Sequence, residues 1–375
     1  MLADFLAARG ATFAEVDGLS VPRHYGSPAE EYASATTGCG VVLRGDRSLL
    51  RVHGRAPRQM LQGILTNSVS DPPADASGGH SSGESRYAAI LTPKGRMVAD
   101  LKQYWFGSTE EEGMALDVPA VAVPDVLEYF GRFLPPRFAK VVDLSGELCV
   151  ITVLGPDAKL CIEASMELSA DVVPAEGFAL MGGGPLGTGQ LMARGVEQVD
   201  SWDLIVPRER VSDVWEALEG AGAVSVGWGV WETLRVESGF LRFGSELTEK
   251  TIPLEAGIGE RAFDHDKGCY TGQEVIVRIR HRGHVNWHLR MLLFGDSTPR
   301  SGDELFLAGG EKVIGRVTSS VMSPRFGQPV GLGYVRREVE PPAEVCLGSG
   351  EGAAVTVDRL PTESEPSVEA DPLEL

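Results

Sequence analysis

The segment Lys267-Gly-Cys-Tyr-Thr-Gly-Gln-Glu274 holds the most unusual group of chemically capable residues in this sequence. Its glycines permit a tight loop. Arg278, Arg280 and Arg282 follow it along a segment that we predict as a strand with the three arginines on one face. A cysteine beside such positive charge favours the thiolate, which is the reactive form. Cys269 is therefore the candidate nucleophile or redox residue, and an inert, half-buried thiol on a turn is the alternative.

A second candidate is Asp100, a carboxylate in an otherwise regular strand pattern. The stretches Tyr87–Leu91 and Arg96–Phe106 alternate as strands do, and Thr92-Pro-Lys-Gly95 between them has proline and glycine where a β-turn favours them. The sequence therefore predicts a hairpin. Alternation places Asp100 and Lys102 on the same face of its second strand, where the carboxylate is a candidate for acid–base chemistry.

Arginines supply a third possibility, the binding of an anionic or planar ligand. The guanidinium of Arg235 could hold a carboxylate or the edge of a heterocycle through paired hydrogen bonds, and pairing with Glu237 or Asp100 is the alternative. The arginines at 278–282 could bind the phosphates of RNA or of a polyanionic ligand. Charged protection of an edge strand would produce the same pattern.

Two further patterns do not predict sites. His281, His284 and His288 would share a face only on a helix, which Gly283 disfavours, and no cysteine or carboxylate completes a ligand spacing, so we expect no metal site. The stretch Gly182–Gly187 matches G-x-G-x-x-G, but it follows no strong strand and its proline disfavours a helix behind it. We predict a turn there.

Composition restricts the class of protein. The 375 residues carry 34 basic and 53 acidic side chains, a formal charge of −19, which disfavours a general nucleic-acid-binding role. The apolar content of 43% suits two or three packed domains. The apolar runs are too short for a bilayer span, and the N-terminal stretch lacks the basic start of a signal peptide. Five cysteines without a C-x-x-C pair indicate a reducing compartment, so we expect a cytoplasmic protein.

The elements that position the candidates repeat along the chain. Leu116–Glu128 and Leu204–Glu216 share a strand, a Val-Pro exit and a helix pattern at a constant offset of 88 residues. Leu50–Ala56 and Ile151–Ala158 share a strand that ends in glycine and then a helix start. These pairs predict two similar α+β halves, and chance similarity of common units is the alternative.

The remaining segments predict a barrel, a loop and a tail. The Gly/Ser/Pro-rich stretch 70–85 is predicted as a flexible surface loop, and the acidic C-terminal stretch as a disordered tail. After Asn286, short alternating segments predict a small β-barrel or sandwich, with strands at Leu289–Phe294, Glu304–Leu307, Val313–Ser319, Val330–Val335 and Ala353–Val357. The predicted domains are the first half at 1–140, the second half at 141–285, the barrel at 286–360 and the tail at 361–375.

The segment 267–274 resembles the K-G-C-Y-x-G-Q-E signature of YgfZ-type proteins, which are folate-binding relatives of the glycine cleavage T protein, an aminomethyltransferase. The resemblance covers about residues 45 to 285. Further similarities lie at Val52-His-Gly54, Leu65-Thr-Asn67, the hairpin 87–100, Leu234–Gly239 and Ile252–Gly257. The signature residues are Lys267, Gly268, Cys269, Tyr270, Gly272, Gln273 and Glu274.

The resemblance implies a GcvT-like folate-binding fold that holds tetrahydrofolate or a one-carbon derivative where the two halves and the barrel meet. It assigns Asp100 to the reactive edge of the folate. Tyr87, Arg235 and Asn67 match folate-contacting positions, and Arg278 would supply positive charge for the glutamyl tail. Cys269 and Asp100 are the implied catalytic residues.

Two departures separate the chain from T proteins. Ala99 precedes Asp100 where T proteins carry a paired acid, and Arg194–Asp200 replaces their Tyr-Thr-Gly-Glu stretch, with Glu197 as the substitute. The leading hypothesis is therefore a tetrahydrofolate-binding, YgfZ-like protein that assists assembly or repair of iron–sulfur enzymes, with a link to tRNA modification. Its partners would be those enzymes or their assembly proteins, because a single cysteine cannot hold a cluster. A folate-dependent aminomethyltransferase is the alternative, and a nucleic-acid-binding module is the least favoured.

Overall fold

The structure, a computed structural model, describes residues 2–75, 80–166, 169–181, 190–194 and 200–361. The chain divides into two compact units. Unit 1 contains residues 1–232 and 242–285, and unit 2 contains residues 233–241 and the chain from Asn286 onward. The sequence grouped residues 233–241 with the second half, whereas the compact unit that holds the barrel includes them.

Unit 1 contains the predicted α+β elements, and helix α7 begins in it and ends in unit 2. In chain order these elements are α1 (Leu2–Ala8), β1 (Thr12–Val16), β2 (Leu19–His24), α2 (Pro28–Thr37), β3 (Gly40–Leu43), β4 (Arg47–Gly54), α3 (Pro57–Gln62), β5 (Ala74–Asp75), β6 (His80–Glu84), β7 (Arg86–Leu91), β8 (Met97–Trp105), β9 (Met114–Pro119), α4 (Val123–Phe133), β10 (Ala139–Asp143), β11 (Leu148–Leu154), α5 (Ala158–Met166), β12 (Gly177–Met181), β13 (Gln190–Arg194), β14 (Ser201–Pro207), α6 (Val211–Gly220), β15 (Val224–Ser225), α7 (Trp228–Glu237), α8 (Gly259–Ala262) and α9 (Gln273–Arg282).

Two sheets of unit 1 show the predicted duplication. The five-stranded sheet has the order β10-β4-β9-β8-β7, and the eight-stranded sheet has the order β15-β3-β11-β14-β13-β12-β6-β5. In each half a strand runs through Val-Pro and a short 3₁₀ turn, at Ala120–Ala122 and at Arg208–Arg210, into a helix, α4 or α6. The prediction of two similar α+β halves is confirmed.

The sheets of the two halves share strands. Strand β3 precedes the first repeated strand β4 in the chain, yet it pairs antiparallel with β11 of the second half. Strand β10 precedes β11, yet it pairs antiparallel with β4 of the first half. The five-stranded sheet therefore ends in β10, which directly precedes β11 in the chain, and the eight-stranded sheet contains three strands of the first half, β3, β5 and β6.

The cores of unit 1 lie between these layers. One cluster joins helix residues such as Val126 and Phe130 to the first sheet, and it continues to Val150, Leu180 and Ile205 on one face of the second sheet. The other face of the second sheet packs in a separate cluster against α1, α5 and α6. The faces that the two sheets share are therefore buried, and a charged residue there needs a partner.

Unit 2 is a closed six-stranded barrel with the order β16-β19-β18-β17-β20-β21, which confirms the predicted C-terminal barrel. Leu292, Phe294 and Val355 belong to its core. The sequence missed β20, because that strand is short, follows two prolines and buries only Val345 deeply. The strands are β16 (Trp287–Leu293), β17 (Glu304–Phe306), β18 (Val313–Ser323), β19 (Gln328–Arg336), β20 (Ala343–Leu347) and β21 (Ala354–Asp358).

The prediction of a flexible loop over residues 70–85 was wrong at residues 74–75, which form strand β5 and pair with β6, and at residues 80–84. Residues 80–84 form strand β6, which pairs with β12 along its whole length, from Gly177 opposite Glu84 to Met181 opposite His80. Backbone hydrogen bonds hold this strand, and composition does not reveal them. Four predictions, namely the centre of that loop at 76–79, the Gly182–Gly187 turn, the substitute Glu197 and the tail after Pro361, lie outside the described residues.

The prediction of a strand over the three arginines was also wrong. Residues 273–282 form helix α9, whose residue Ile276 is buried, and Gly283 ends it with an N–H bond to Ile279 O at 3.1 Å. Apolar residues three apart, at positions 276 and 279, indicated this helix. Arg278 and Arg280 therefore do not share a face, because residues two apart on a helix point about 200° apart.

Candidate functional site

Tyr87 and Asp100 contact each other on the hairpin of strands β7 and β8. The Tyr87 hydroxyl donates a hydrogen bond to Asp100 Oδ2 at 3.1 Å. Asp100 is only 6% exposed, and its Oδ1 has no hydrogen-bond partner within the described part of the chain. Burial and the charge of Asp100 raise the pKa of Tyr87 well above its ordinary value, so the phenol stays a donor. Asp100 Oδ1 is therefore a buried acceptor without a donor in the described part of the chain, which makes it a candidate polar contact for a ligand.

Arg47 places positive charge near this carboxylate. Its Nε donates to Asp117 Oδ1 at 2.8 Å, and its Nη2 donates to Asp117 O at 2.7 Å. Burial alone would lower the pKa of Arg47, but attraction to Asp117, Asp100 and Asp46 outweighs it and raises the pKa. Arg47 therefore remains charged, and it offsets the negative charges buried beside it.

The charged layer continues across to the second sheet. Lys102 Nζ lies 3.4 Å from Asp203 Oδ2, and Thr152 Oγ1 donates to Asp203 Oδ1 at 2.7 Å. Burial raises the pKa of Asp117 despite the neighbouring Arg47, and Asp203 contributes to the same rise. The shared faces of the two sheets thus hold paired charges around Asp100.

Arg261 completes the surroundings of Tyr87. Its guanidinium lies 4.3 Å from the centroid of the Tyr87 ring, which is cation–π geometry. Asn67 ties the two together, because its Nδ2 donates to Tyr87 O at 3.0 Å and to Arg261 O at 3.1 Å. Its Oδ1 accepts from Ser68 N at 2.8 Å. The Asn67 amide therefore fixes the backbone of Tyr87, and its predicted folate contact stays a prediction.

The signature segment begins with a half-buried lysine. Lys267 Nζ donates to Leu65 O at 2.7 Å and to Asn67 O at 2.8 Å. Burial lowers the pKa of Lys267 to about 8 even though Asp264 opposes the shift. Tyr270 is buried, which raises its pKa to about 12. Lys267 and Tyr270 thus anchor the segment, while Gly268 and Cys269 between them are exposed.

The second part of the signature starts helix α9. Gly272 has φ +84°, and a Cβ there would lie 2.6 Å from Thr92 O of the hairpin turn, so only glycine fits. Gln273 N donates to Tyr270 O at 3.3 Å. Glu274 pairs with Arg278 at 2.7 Å on the exposed side of the helix. Gly272 thus lets the helix approach the hairpin turn.

Arg278 and Arg235 were also predicted as site residues. Arg278 is on the solvent side of α9, with 70% of its side chain exposed. Arg235 belongs to unit 2, where its guanidinium donates to Ser319 Oγ at 2.7 Å and to Phe240 O at 3.0 Å. Tyr87, Asp100, Asn67 and the signature segment, by contrast, are linked by direct contacts within unit 1.

Arg47, Asp117 and Arg261 were not predicted from the sequence as site residues. The first two are charged residues within strand patterns, which is the signal that singled out Asp100, so the same test would have found them. No local signal points to Arg261, because its contact with Tyr87 joins residues far apart in the chain.

Neither a cluster of metal-ligating side chains nor a membrane-spanning helix is found in the described part of the chain. Among the residues that the structure describes, no group of three or more His, Cys, Asp or Glu side chains is placed to hold a metal ion. No helix in the described ranges is long and apolar enough to cross a membrane.

Comparison with known proteins agrees with this architecture. A solved structure, the glycine cleavage system aminomethyltransferase T from Bartonella henselae, matches 96% of both chains with a TM-score of 0.80 at 22% identity, which shows a shared fold. The chain is 29% identical to an aminomethyltransferase from Corynebacterium jeikeium, over 93% of this chain and 91% of that protein. It is 28% identical to an aminomethyltransferase from Rubrobacter xylanophilus, over 91% and 87%.

Two family models cover nearly the whole described chain. The model of the GCVT N-terminal domain matches residues 2–263. The model of the glycine cleavage T-protein C-terminal barrel domain matches residues 287–361. The fold, the barrel and these matches agree, and the chain belongs to the family of the glycine cleavage T protein.

Proposed function

We propose that unit 1 binds a tetrahydrofolate at Tyr87 and Asp100 and that the chain acts as a YgfZ-type protein in the upkeep of iron–sulfur enzymes. Aminomethyltransferases of the GcvT family use tetrahydrofolate. The observation that carries folate binding is the buried Asp100 carboxylate with one oxygen unpartnered in the described chain.

The residues around Asp100 fit a reduced pterin. Such a ring carries several N–H donors, and Asp100 Oδ1 is an acceptor without a protein donor. The Tyr87 hydroxyl holds the second oxygen, so the carboxylate is oriented before a ligand arrives. Bound tetrahydrofolate would supply the one-carbon chemistry, while Asp100 would hold a proton at a ring nitrogen.

The iron–sulfur role rests on the signature segment. Cys269 is exposed at its tip, whereas Cys39, Cys149 and Cys161 are buried. An exposed thiol is accessible to a macromolecular partner. A single thiol forms at most a transient bond to sulfur or one ligand bond, so the partner must supply the rest of any cluster site.

Calorimetric titration with tetrahydrofolate tests the first part of the proposal. We expect Asp100→Ala to weaken binding at least about tenfold, because a charge-assisted hydrogen bond to a buried carboxylate is lost. Asp125→Ala, which removes an exposed acid on α4, is the matched control and should bind as the wild type does. Equal affinity in Asp100→Ala would overturn the assignment.

Complementation tests the second part. In a strain that lacks the gene for this protein, the Cys269→Ala variant should fail to restore the activity of iron–sulfur enzymes. The folate affinity of the variant should equal that of the wild type. Cys346→Ala, which changes a partly buried thiol in the barrel, should restore the activity of these enzymes. Full rescue by Cys269→Ala would rule out the thiol role.

The second candidate is an aminomethyltransferase, the activity named for relatives that match about nine-tenths of the chain. Asp100 would then assist transfer of a methylene group from a lipoate-bound aminomethyl donor to tetrahydrofolate, with release of ammonia. Incubation with that donor and measurement of methylene-tetrahydrofolate decides between the two. Sustained turnover that Asp100→Ala abolishes would favour the transferase.

A further inference from the structure

Residues 63–67, which we call the bridging segment, lie between the Tyr87–Asp100 hairpin and the signature segment. The bridging segment follows helix α3 and includes an isolated β-bridge between Leu65 and Ile90. Thr66 is fully buried. Its side chain and backbone form hydrogen bonds both to strand β7 and to the chain that precedes the signature segment. Apart from the predicted folate contact of Asn67, the proposed function gives this segment no role.

On the hairpin side, the bridging segment is bonded to strand β7. Thr66 N donates to Ala89 O at 3.1 Å, and Ala89 N donates to Thr66 Oγ1 at 2.8 Å. Asn67 Nδ2 donates to Tyr87 O at 3.0 Å. The backbone of β7 on both sides of residue 88 is therefore fixed by two side chains of the bridging segment.

On the other side, the same residues hold the chain that leads to Cys269. Thr66 Oγ1 donates to Ala262 O at 2.6 Å, and Asp264 N donates to Thr66 O at 3.2 Å. Lys267 Nζ bonds the carbonyls of residues 65 and 67, and Thr271 N donates to Gly63 O at 3.2 Å. Cys269 thus lies between two residues, 267 and 271, that are both bonded to the bridging segment.

We propose that the bridging segment couples occupancy of the Tyr87–Asp100 site to the mobility and reactivity of the Cys269 loop, residues 267–272, with Lys267 as the positioning residue. A ligand bonded to Asp100 and Tyr87 restrains β7, and the restraint passes through Thr66 and Asn67 to Lys267. The loop then opens less often, since its bonds are shared with a segment that the ligand holds. The inference rests on the proposed folate binding.

Hydrogen exchange on the full chain, with and without saturating tetrahydrofolate, tests the coupling. In the wild type, we expect amides of residues 264–272 to exchange at least about fivefold more slowly with ligand present. Alkylation of the exposed Cys269 by iodoacetamide, followed on its own peptide by mass spectrometry, should slow at least about threefold, because a restrained loop visits fewer of the conformations in which the thiol can attack the reagent.

The variant Lys267→Met keeps the apolar stem and removes the donors that bond residues 65 and 67. It should bind tetrahydrofolate within about twofold of the wild type and lose the ligand effect on the loop, while protection at residues 87–89 persists. Lys140→Met changes an exposed lysine on β10 of the same unit. In this control, tetrahydrofolate should still slow both the amide exchange at residues 264–272 and the alkylation of Cys269.

The outcomes separate the two proposals. No calorimetric binding by the wild type would overturn folate binding and the coupling together. Binding with unchanged exchange at 264–272 would overturn the coupling alone, and so would a persistent ligand effect in Lys267→Met. Should that variant fail to fold, the wild-type comparison with and without ligand still decides the question.

Discussion

Corresponding rows of residues in the two halves of unit 1 differ in polarity at three of their four positions. In the first half, Tyr87, Lys102, Asp117 and Leu49 stand opposite one another across strands β7, β8, β9 and β4. In the second half, Leu180, Leu191, Ile205 and Val150 stand in the same relation across β12, β13, β14 and β11. We call these the polar row and the apolar row.

The two rows are related by the same duplication that the sequence indicated. The pair Leu116 and Leu204 differs by 88 positions, as do Asp117 and Ile205, and the pair Leu50 and Ile151 differs by 101 positions, as do Leu49 and Val150. One half therefore carries charge and a candidate ligand site, while Leu180, Ile205 and Val150 at the corresponding positions of the other half are buried in the core. Two of these apolar residues, Leu180 and Ile205, pack in the core at positions where the first half carries polar or charged residues.

The largest expected effect comes from removing the cation behind the polar row. Arg47→Met leaves Asp117 buried without its partner. We therefore expect the free energy of unfolding, measured in urea, to fall by about 3–5 kcal/mol. The double variant Arg47→Met/Asp117→Leu, which makes the polar row resemble the apolar one, should recover at least half of that loss. If the double variant is as unstable as Arg47→Met, the unpaired Asp117 carboxylate is not the cause of the lost stability.

The apolar row offers the opposite test. Leu180 is 6% exposed and belongs to the core between the sheets, so Leu180→Ala should cost about 2–3 kcal/mol through lost burial and a cavity. Its tetrahydrofolate affinity should remain within about twofold of the wild type. A tenfold loss of affinity in a folded variant would mean that both rows serve the ligand.

A smaller effect on stability should accompany a change at the hydroxyl of the polar row. Tyr87→Phe removes the bond to Asp100 Oδ2, and we expect a loss of about 1–2 kcal/mol and about tenfold weaker folate binding. Tyr104→Phe is the matched control, because the Tyr104 hydroxyl is buried without a partner in the described chain. Equal effects in the two variants would contradict a special role for Tyr87.

The smallest effect is expected outside both rows. Arg278→Ala removes an exposed ion pair with Glu274, so stability should change by less than about 0.5 kcal/mol. If Arg278 contacts the glutamyl tail, affinity for a polyglutamylated tetrahydrofolate should fall about threefold while affinity for the monoglutamate stays constant. Unchanged affinity for both ligands would remove Arg278 from the site.

Local signals in the sequence predicted much of this architecture. The β7–β8 hairpin follows from a Pro-Gly turn between two alternating stretches, and the repeated helices follow from apolar spacing after Val-Pro. The exchange of β3 and β10 was not predictable, because strand pairing over about a hundred residues leaves no local mark. Helix α9 was misassigned, because the regular arginines at 278, 280 and 282 drew attention from its apolar spacing.

The site divides in the same way. Asp100 could be selected as a carboxylate in a strand, and Cys269 as a thiol within a distinctive segment. A predicted strand placed Arg278, Arg280 and Arg282 on one face beside the thiol, but these residues form a helix, in which Arg278 and Arg280 do not share a face. The bonds of Lys267 to residues 65 and 67 join positions about two hundred residues apart, so only the folded chain could reveal them.

The crossed strands β3 and β10 also limit how the molecule can be cut. A fragment ending near residue 145 would keep β3 and β10 but lose β11, so β3 would expose the backbone groups that it normally pairs. Such a fragment would satisfy that edge with a second copy of itself, as domain-swapped dimers do. Neither half is an independent module, and any shortened form for crystallisation or engineering should retain both.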